Sequence, residues 1–168
     1  MSRYKQITYI GIMVALALVL QLVEGMLPMP YIAPGVKLGL ANIVSLIAII
    51  YFGFKSAFIV VIFRASLAAF LSGRPYLLLL GGVGALLSII IMGLMYKHLD
   101  KYFSLRGISM MGAITHNFGQ ILMASVLMET IRIFSYLPVL LITGLITGYF
   151  IGLVAELLKK SLDPILQT

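Results

Sequence analysis

Four side chains that can form hydrogen bonds lie close together inside an otherwise apolar stretch, the segment GAITHNFGQ at residues 112–120. They are Thr115, His116, Asn117 and Gln120. In a helix, His116 and Gln120 share one face at i, i+4. Apolar surroundings offer these groups no partners, so we expect them to point into the protein interior and to bind a ligand there. A metal site is not expected, because the only other histidine is His98 and this stretch has no carboxylate at ligand spacing.

Arg64 stands near the middle of another apolar stretch, between Phe63 and Ala65. An arginine in the middle of a membrane costs roughly 2.5–3.5 kcal/mol on insertion scales, so its side chain should face a cavity or a partner. Two interpretations are open. The guanidinium hydrogen-bonds backbone carbonyls or a polar side chain such as Asn42 or Gln120, or it holds an anion.

Lys and Arg residues are divided unevenly between alternate junctions of the apolar stretches. One set of junctions carries Arg3, Lys5, Lys55, Lys97, Lys101, Arg106, Lys159 and Lys160, and the other carries only Lys37, Arg74 and Arg132. Because cytoplasmic junctions are enriched in Lys and Arg, this division predicts that both termini are cytoplasmic. The three cations of the sparse set either extend from helix ends towards water or, with Asn42 and Arg64, form an outward-facing pocket for an acidic or phosphorylated ligand.

Six apolar runs must position these side chains, at about residues 7–23, 38–52, 57–71, 76–95, 108–128 and 133–158. Several approach the roughly 20 residues that a helix needs to cross a bilayer. With 62% hydrophobic and 10% charged residues, most of the surface must face lipid. We predict an all-α integral membrane protein with one transmembrane domain, residues 1–168, folded as a six-helix bundle. The net charge of +7 reflects the cytoplasmic side and contact with membrane lipids, so nucleic acid is not an expected partner.

Small residues recur at four-residue spacing in two of the runs. Gly144, Gly148 and Gly152 line one face of the last run, and Gly11 and Ala15 lie one turn apart on the first. Such faces allow helix backbones to approach closely within lipid. For the last run we favour packing inside the bundle. For Gly11 and Ala15, internal packing and contact with an external partner helix both stay open.

Two segments and one residue carry a resemblance to a known family: PGVKLGLAN at residues 34–42, GAITHNFGQ at residues 112–120, and Arg64 between them. They resemble the signatures of the bacterial family labelled heptaprenyl diphosphate synthase component I, also called the Gx transporter family, over nearly the whole chain. That family is similar to the substrate-binding S components of energy-coupling factor (ECF) transporters, small six-helix proteins of the bacterial cytoplasmic membrane. The resemblance implies that Gly11 and Ala15 dock on a membrane coupling subunit driven by two ATPase subunits.

The family label and the S-component likeness imply different functions. Prenyl transfer through Mg²⁺ needs clustered carboxylates, yet the two aspartates, Asp100 and Asp163, are far apart in sequence. The segment Gly53-Phe54-Lys55-Ser56 also lacks the glycine that a nucleotide-binding loop needs before its lysine. We therefore predict that the chain is not itself an enzyme, and we expect neither a cofactor nor a metal.

We favour an S component that binds a small anionic or amphipathic ligand from outside, with isoprenoid and quinone-precursor compounds among the candidates. The candidate binding residues are Lys37, Asn42, Arg64, Arg74, His116, Asn117, Gln120 and Arg132. The alternative is the non-catalytic membrane subunit, component I, of a two-part heptaprenyl diphosphate synthase. A third hypothesis is a proton-coupled transporter that acts alone, with Glu24 or Glu129 as the proton carrier.

Overall fold

The computed structural model describes residues 3–26 and 38–166, which are all helices and short connections. These residues form five α-helices and one 3₁₀ helix. The α-helices are α1 (Arg3–Met26), α2 (Leu40–Leu71), α3 (Tyr76–His98), α4 (Leu105–Leu127) and α5 (Leu137–Leu166), and the 3₁₀ helix is Ile131–Tyr136.

Helix α2 is bent sharply at Gly53, whose backbone has φ 76° and ψ 172°. A side chain strongly disfavours this positive φ, and glycine tolerates it. Asn42 and Arg64 are 22 positions apart, so a straight helix would separate them by about 33 Å. Instead their side chains hydrogen-bond at 3.1 Å. The two arms of α2, residues 40–52 and 54–71, therefore run back along each other.

The first and last helices both reach the bend in α2. Gln6 of α1 donates a hydrogen bond to the Ser56 hydroxyl at 3.2 Å, and the Tyr51 hydroxyl donates to Asp163 of α5 at 2.7 Å. We call this side of the molecule the bend end. Lys5, Lys55 and Lys159 lie beside these contacts, which agrees with the division of charge in the sequence. That the bend end faces the cytoplasm stays a prediction.

The prediction of six separate transmembrane helices is not supported. Two of the apolar runs join in α2, because Gly53 reverses the chain direction without an intervening loop. Four helical segments of the described residues are long and apolar enough to cross a membrane: Tyr4–Met26, Leu40–Leu71, Tyr76–His98 and Ile131–Pro164. Helix α4 is not among them, and it carries the polar segment at residues 112–120. The elements of the described residues are nonetheless all helices, as expected of a multi-pass helical membrane protein.

Helices α3, α4 and α5 pack at close range through glycines. A Cβ atom at Gly84 of α3 would collide with the His116 carbonyl oxygen of α4. Gly148 and Gly152 of α5 lie against the backbone of α4 in the same way, and Gly144 lies against Asn117 and Ala113. The glycine face of the last helix therefore packs inside the bundle. The ion pair between Arg106 and Glu156 joins α4 to α5 near the bend end, with a nitrogen–oxygen distance of 2.9 Å.

Helix α1 lies at the edge of the bundle and packs on α2. Ala17 faces α2 and is fully buried. The opposite side of α1 is exposed and includes Gly11, Ala15 and large apolar side chains such as Ile12 and Leu16. A Cβ atom added at Gly11 would meet no neighbouring atom within 4 Å. This face is available to a partner helix.

Candidate functional site

A cavity of about 300 Å³ opens at the end of the bundle opposite the bend. It lies where α1 ends, where α2 begins and where the turn between α2 and α3 carries Arg74. All five α-helices contribute to its wall. Its polar and charged lining residues are Gln21, Glu24, Asn42, Arg64, Ser72, Arg74, His116, Asn117 and Thr147.

Arg64 is the buried cation of this cavity, with only 5% of its surface exposed. Its Nη1 donates to Gln21 Oε1 at 2.8 Å, and its Nη2 donates to Asn42 Oδ1 at 3.1 Å. The Nε atom is buried and has no hydrogen-bond partner among the described residues. A guanidinium has five N–H donors. The hydrogen bond to Asn42 agrees with the first interpretation from the sequence. That Arg64 holds an anion stays a prediction.

Glu24 closes the junction between α1 and α2. One carboxylate oxygen accepts from the Gly39 N–H at 2.6 Å and the other from the Leu40 N–H at 3.0 Å. These N–H groups belong to the start of α2, where the helix dipole also favours a negative charge. Glu24 is 7% exposed and lies close enough to Arg64 to attract it electrostatically. Both oxygens of the Glu24 carboxylate thus accept hydrogen bonds from the backbone. Arg64 and Arg74 give the cavity two positive charges against this single negative one.

Glu24 should contribute measurably to stability. Replacing it with Gln leaves one acceptor oxygen for two backbone N–H groups, so one buried donor loses its partner. An unsatisfied buried group costs about 1–3 kcal/mol. We expect a lower melting temperature for Glu24→Gln in detergent, measured by intrinsic fluorescence. Glu129→Gln, which changes an exposed carboxylate, is the matched control and should melt as the wild type does. Equal melting of all three proteins would contradict this role.

Five of the eight predicted binding residues line the cavity: Asn42, Arg64, Arg74, His116 and Asn117. Gln120 is buried near the contact between α3 and α4 and is not among the lining residues. Arg132 is exposed on the 3₁₀ helix and does not line the cavity either. Lys37 lies outside the described residues, as do Pro28, Pro30 and Pro34.

Four polar or charged residues of the site were missed as binding candidates in the sequence: Gln21, Glu24, Ser72 and Thr147. Gln21 was not considered, and Glu24 was considered only as a proton carrier. They are three positions apart on α1 and so fall on one helix face. Two polar side chains at this spacing within an apolar run were the available signal. What they contact could not be read from the sequence, because both partners lie on α2.

Asn117 has a structural bond as well as a place in the wall. Its Nδ2 donates to the Leu140 carbonyl oxygen of α5 at 2.6 Å. Asn42 likewise uses its oxygen for Arg64. The site is therefore a pre-formed polar network, because hydrogen bonds between different helices and between the two arms of α2 fix its side chains. A network of this kind fixes the guanidinium without a ligand, which lowers the entropic cost of binding an anion.

The described part of the site offers hydrogen-bond donors and not a cluster of metal ligands. Among residues 3–26 and 38–166, no group of three or more His, Asp or Glu side chains could hold a metal ion. The guanidinium of Arg64 instead offers charge-assisted hydrogen bonds to a carboxylate or phosphate. Arg64 thus lies in the wall of a cavity that also has apolar lining residues, such as Leu22, Leu77 and Ile151.

Comparison with protein families gives a match over most of the chain. The family model described as heptaprenyl diphosphate synthase component I matches residues 13–158. Neither the comparison with curated proteins nor the comparison with solved structures gave a match.

Proposed function

This chain belongs to the heptaprenyl diphosphate synthase component I family, and from that premise we propose that it is the substrate-binding (S) subunit of an ECF-type importer. It binds a small anionic or amphipathic ligand on the outer side of the bacterial cytoplasmic membrane, as a single transmembrane domain. A membrane coupling subunit and two ATPase subunits drive the uptake.

The observation that carries this proposal is the cavity around Arg64. Component I is a non-catalytic subunit, in agreement with the prediction that the chain is not itself an enzyme. An anchoring subunit needs no polar cavity, whereas a binding subunit does. An arginine within a membrane-spanning helix is costly and commonly marks a functional site, which supports a ligand-binding role for Arg64.

The exposed face of α1 supports the second part of the proposal. A helix that faces only lipid has no need for small residues, but Gly11 and Ala15 would let a partner backbone approach closely. This face is on the side of α1 away from α2, so a coupling subunit can reach it without disturbing the cavity.

The proposed docking face can be tested by adding bulk. Gly11→Leu together with Ala15→Leu should abolish co-purification with a coexpressed coupling subunit and its ATPases, because the added side chains keep the helices apart. Ligand binding by the isolated protein should be unchanged. Gly11→Ala, which keeps a small residue at this position, is the matched control and should co-purify normally. Retention of the complex by the leucine variant would place the docking surface elsewhere.

The family description favours a second candidate function, the non-catalytic subunit of a two-part heptaprenyl diphosphate synthase. Coexpression with both kinds of partner separates the two. An S subunit co-purifies with the coupling subunit and supports ATP-dependent uptake in proteoliposomes. A synthase subunit instead binds the soluble catalytic partner and changes its activity or product length. Co-purification with the synthase partner alone would overturn the importer proposal.

A further inference from the structure

A second cavity, of about 310 Å³, lies beside the first, between the second arm of α2 and α3. Apart from Ser66, its lining residues are apolar; they include Val61, Leu79 and Leu86. Ile62 and Leu79 are exposed. This α2–α3 groove therefore opens on the outer surface of the bundle, which faces lipid in a membrane.

The groove and the Arg64 cavity share two residues, Ala65 and Gly82. Ala65 follows Arg64 directly, so the boundary between the two spaces lies next to the buried cation. Both shared residues have little or no side chain. The neighbouring Gly81 also lines the cavity, and a Cβ atom added there would meet no atom within 4 Å. The residues that the two spaces share therefore place no large side chain between them.

We propose that the ligand is an anionic amphiphile whose head group binds Arg64 and whose apolar tail passes between Ala65 and Gly82 into the α2–α3 groove. This rests on the proposed function and names its substrate class. The head group requires donors and positive charge, which Arg64 and Arg74 supply. The tail requires an apolar path that begins at the head group, and the α2–α3 groove begins there. A wholly hydrophilic ligand would leave the groove without a role.

Cross-linking tests the path of the tail. The protein in phosphatidylcholine nanodiscs is incubated with dodecyl phosphate that carries a diazirine at the tail end, and labelled residues are mapped by mass spectrometry. We expect labels at Ile62, Leu79 or Leu86. Labels spread equally over exposed residues of α1 and α5 would overturn the proposal. Groove labelling that disappears when phosphatidylglycerol is added to the nanodiscs would support the proposed chemistry and identify a membrane lipid as one source of the anionic amphiphile.

A single substitution tests the passage. A Cβ atom at Gly82 would meet only the Leu78 Cδ1 atom, at 3.6 Å, so a larger residue can be accommodated there. In Gly82→Leu the side chain obstructs the gap beside Ala65. Lost burial of at least two methylenes, at about 0.8 kcal/mol each, weakens binding by about tenfold or more. We expect this loss for dodecyl phosphate and unchanged binding of methyl phosphate, both measured by thermal shift. Gly82→Ala is the control and should behave as the wild type does.

The two probes separate this inference from the function on which it rests. If the wild type binds methyl phosphate and dodecyl phosphate equally well, the tail subsite is wrong while the anion cavity stands. If neither probe stabilises the wild type, the cavity does not bind anionic ligands and the proposed function fails with it. Unchanged dodecyl phosphate binding by Gly82→Leu would also overturn the proposed path.

Discussion

Replacing Arg64 with methionine should weaken the binding of dodecyl phosphate about 100-fold. Two charge-assisted hydrogen bonds at about 1.5 kcal/mol each account for a loss of about 3 kcal/mol. Methionine keeps much of the side-chain length and packs well in apolar surroundings, so the bundle should still fold. Binding is measured as the rise in melting temperature with increasing probe concentration, because a ligand stabilises the folded state according to its affinity.

Stability should change much less than binding in Arg64→Met. The substitution removes the hydrogen bonds to Gln21 and Asn42, but these side chains line a cavity that water can enter, and water can replace the lost donors. It also removes a buried charge, whose desolvation opposes folding. Arg132→Met is the control: it removes an exposed arginine outside the cavity and should leave binding unchanged. Loss of folding in proportion to binding would assign Arg64 a structural role.

Gly152→Val should have the largest effect on the fold. A Cβ atom at Gly152 would collide with the Arg106 Cα atom and would also lie 2.9 Å from the Arg106 nitrogen and 3.0 Å from the Leu105 carbonyl oxygen. These are backbone atoms of α4, which cannot move aside as a flexible side chain can. Helices α4 and α5 must therefore separate. The free energy of unfolding should fall by more than about 3 kcal/mol, which is the upper end of the usual range for overpacked sites. We expect little monodisperse protein on size-exclusion chromatography.

Gly11→Val is the matched control for this substitution. It makes the same chemical change in a helix, but on the exposed face of α1, where a Cβ atom meets nothing within 4 Å. This variant should be recovered and should melt close to the wild type. If Gly152→Val were recovered equally well, the close contact between α4 and α5 would not be needed for folding, and the glycine face would have to serve another purpose.

Several properties were predictable from the sequence because they depend on local composition. Apolar runs indicate membrane helices wherever they occur, since each residue in lipid must avoid exposing polar groups. The cost of burying Arg64 singled it out, and the two motifs at residues 34–42 and 112–120 indicated the family, which residues 13–158 match. Asn42, His116 and Asn117 were also identified, because polar side chains in apolar runs must point inwards.

Only the tertiary structure decided which of these side chains meet. The positive φ of Gly53 brings Arg64 to Asn42, and a composition pattern does not report a single backbone angle. Glu24 binds the start of α2 and lines the cavity, while Arg132, a predicted binding residue, lies outside the cavity. Helix register also gives the apolar groove and the cavity two lining residues in common, Ala65 and Gly82. Each of these outcomes depends on how closely two backbones approach, and that distance is fixed by packing between helices distant in sequence.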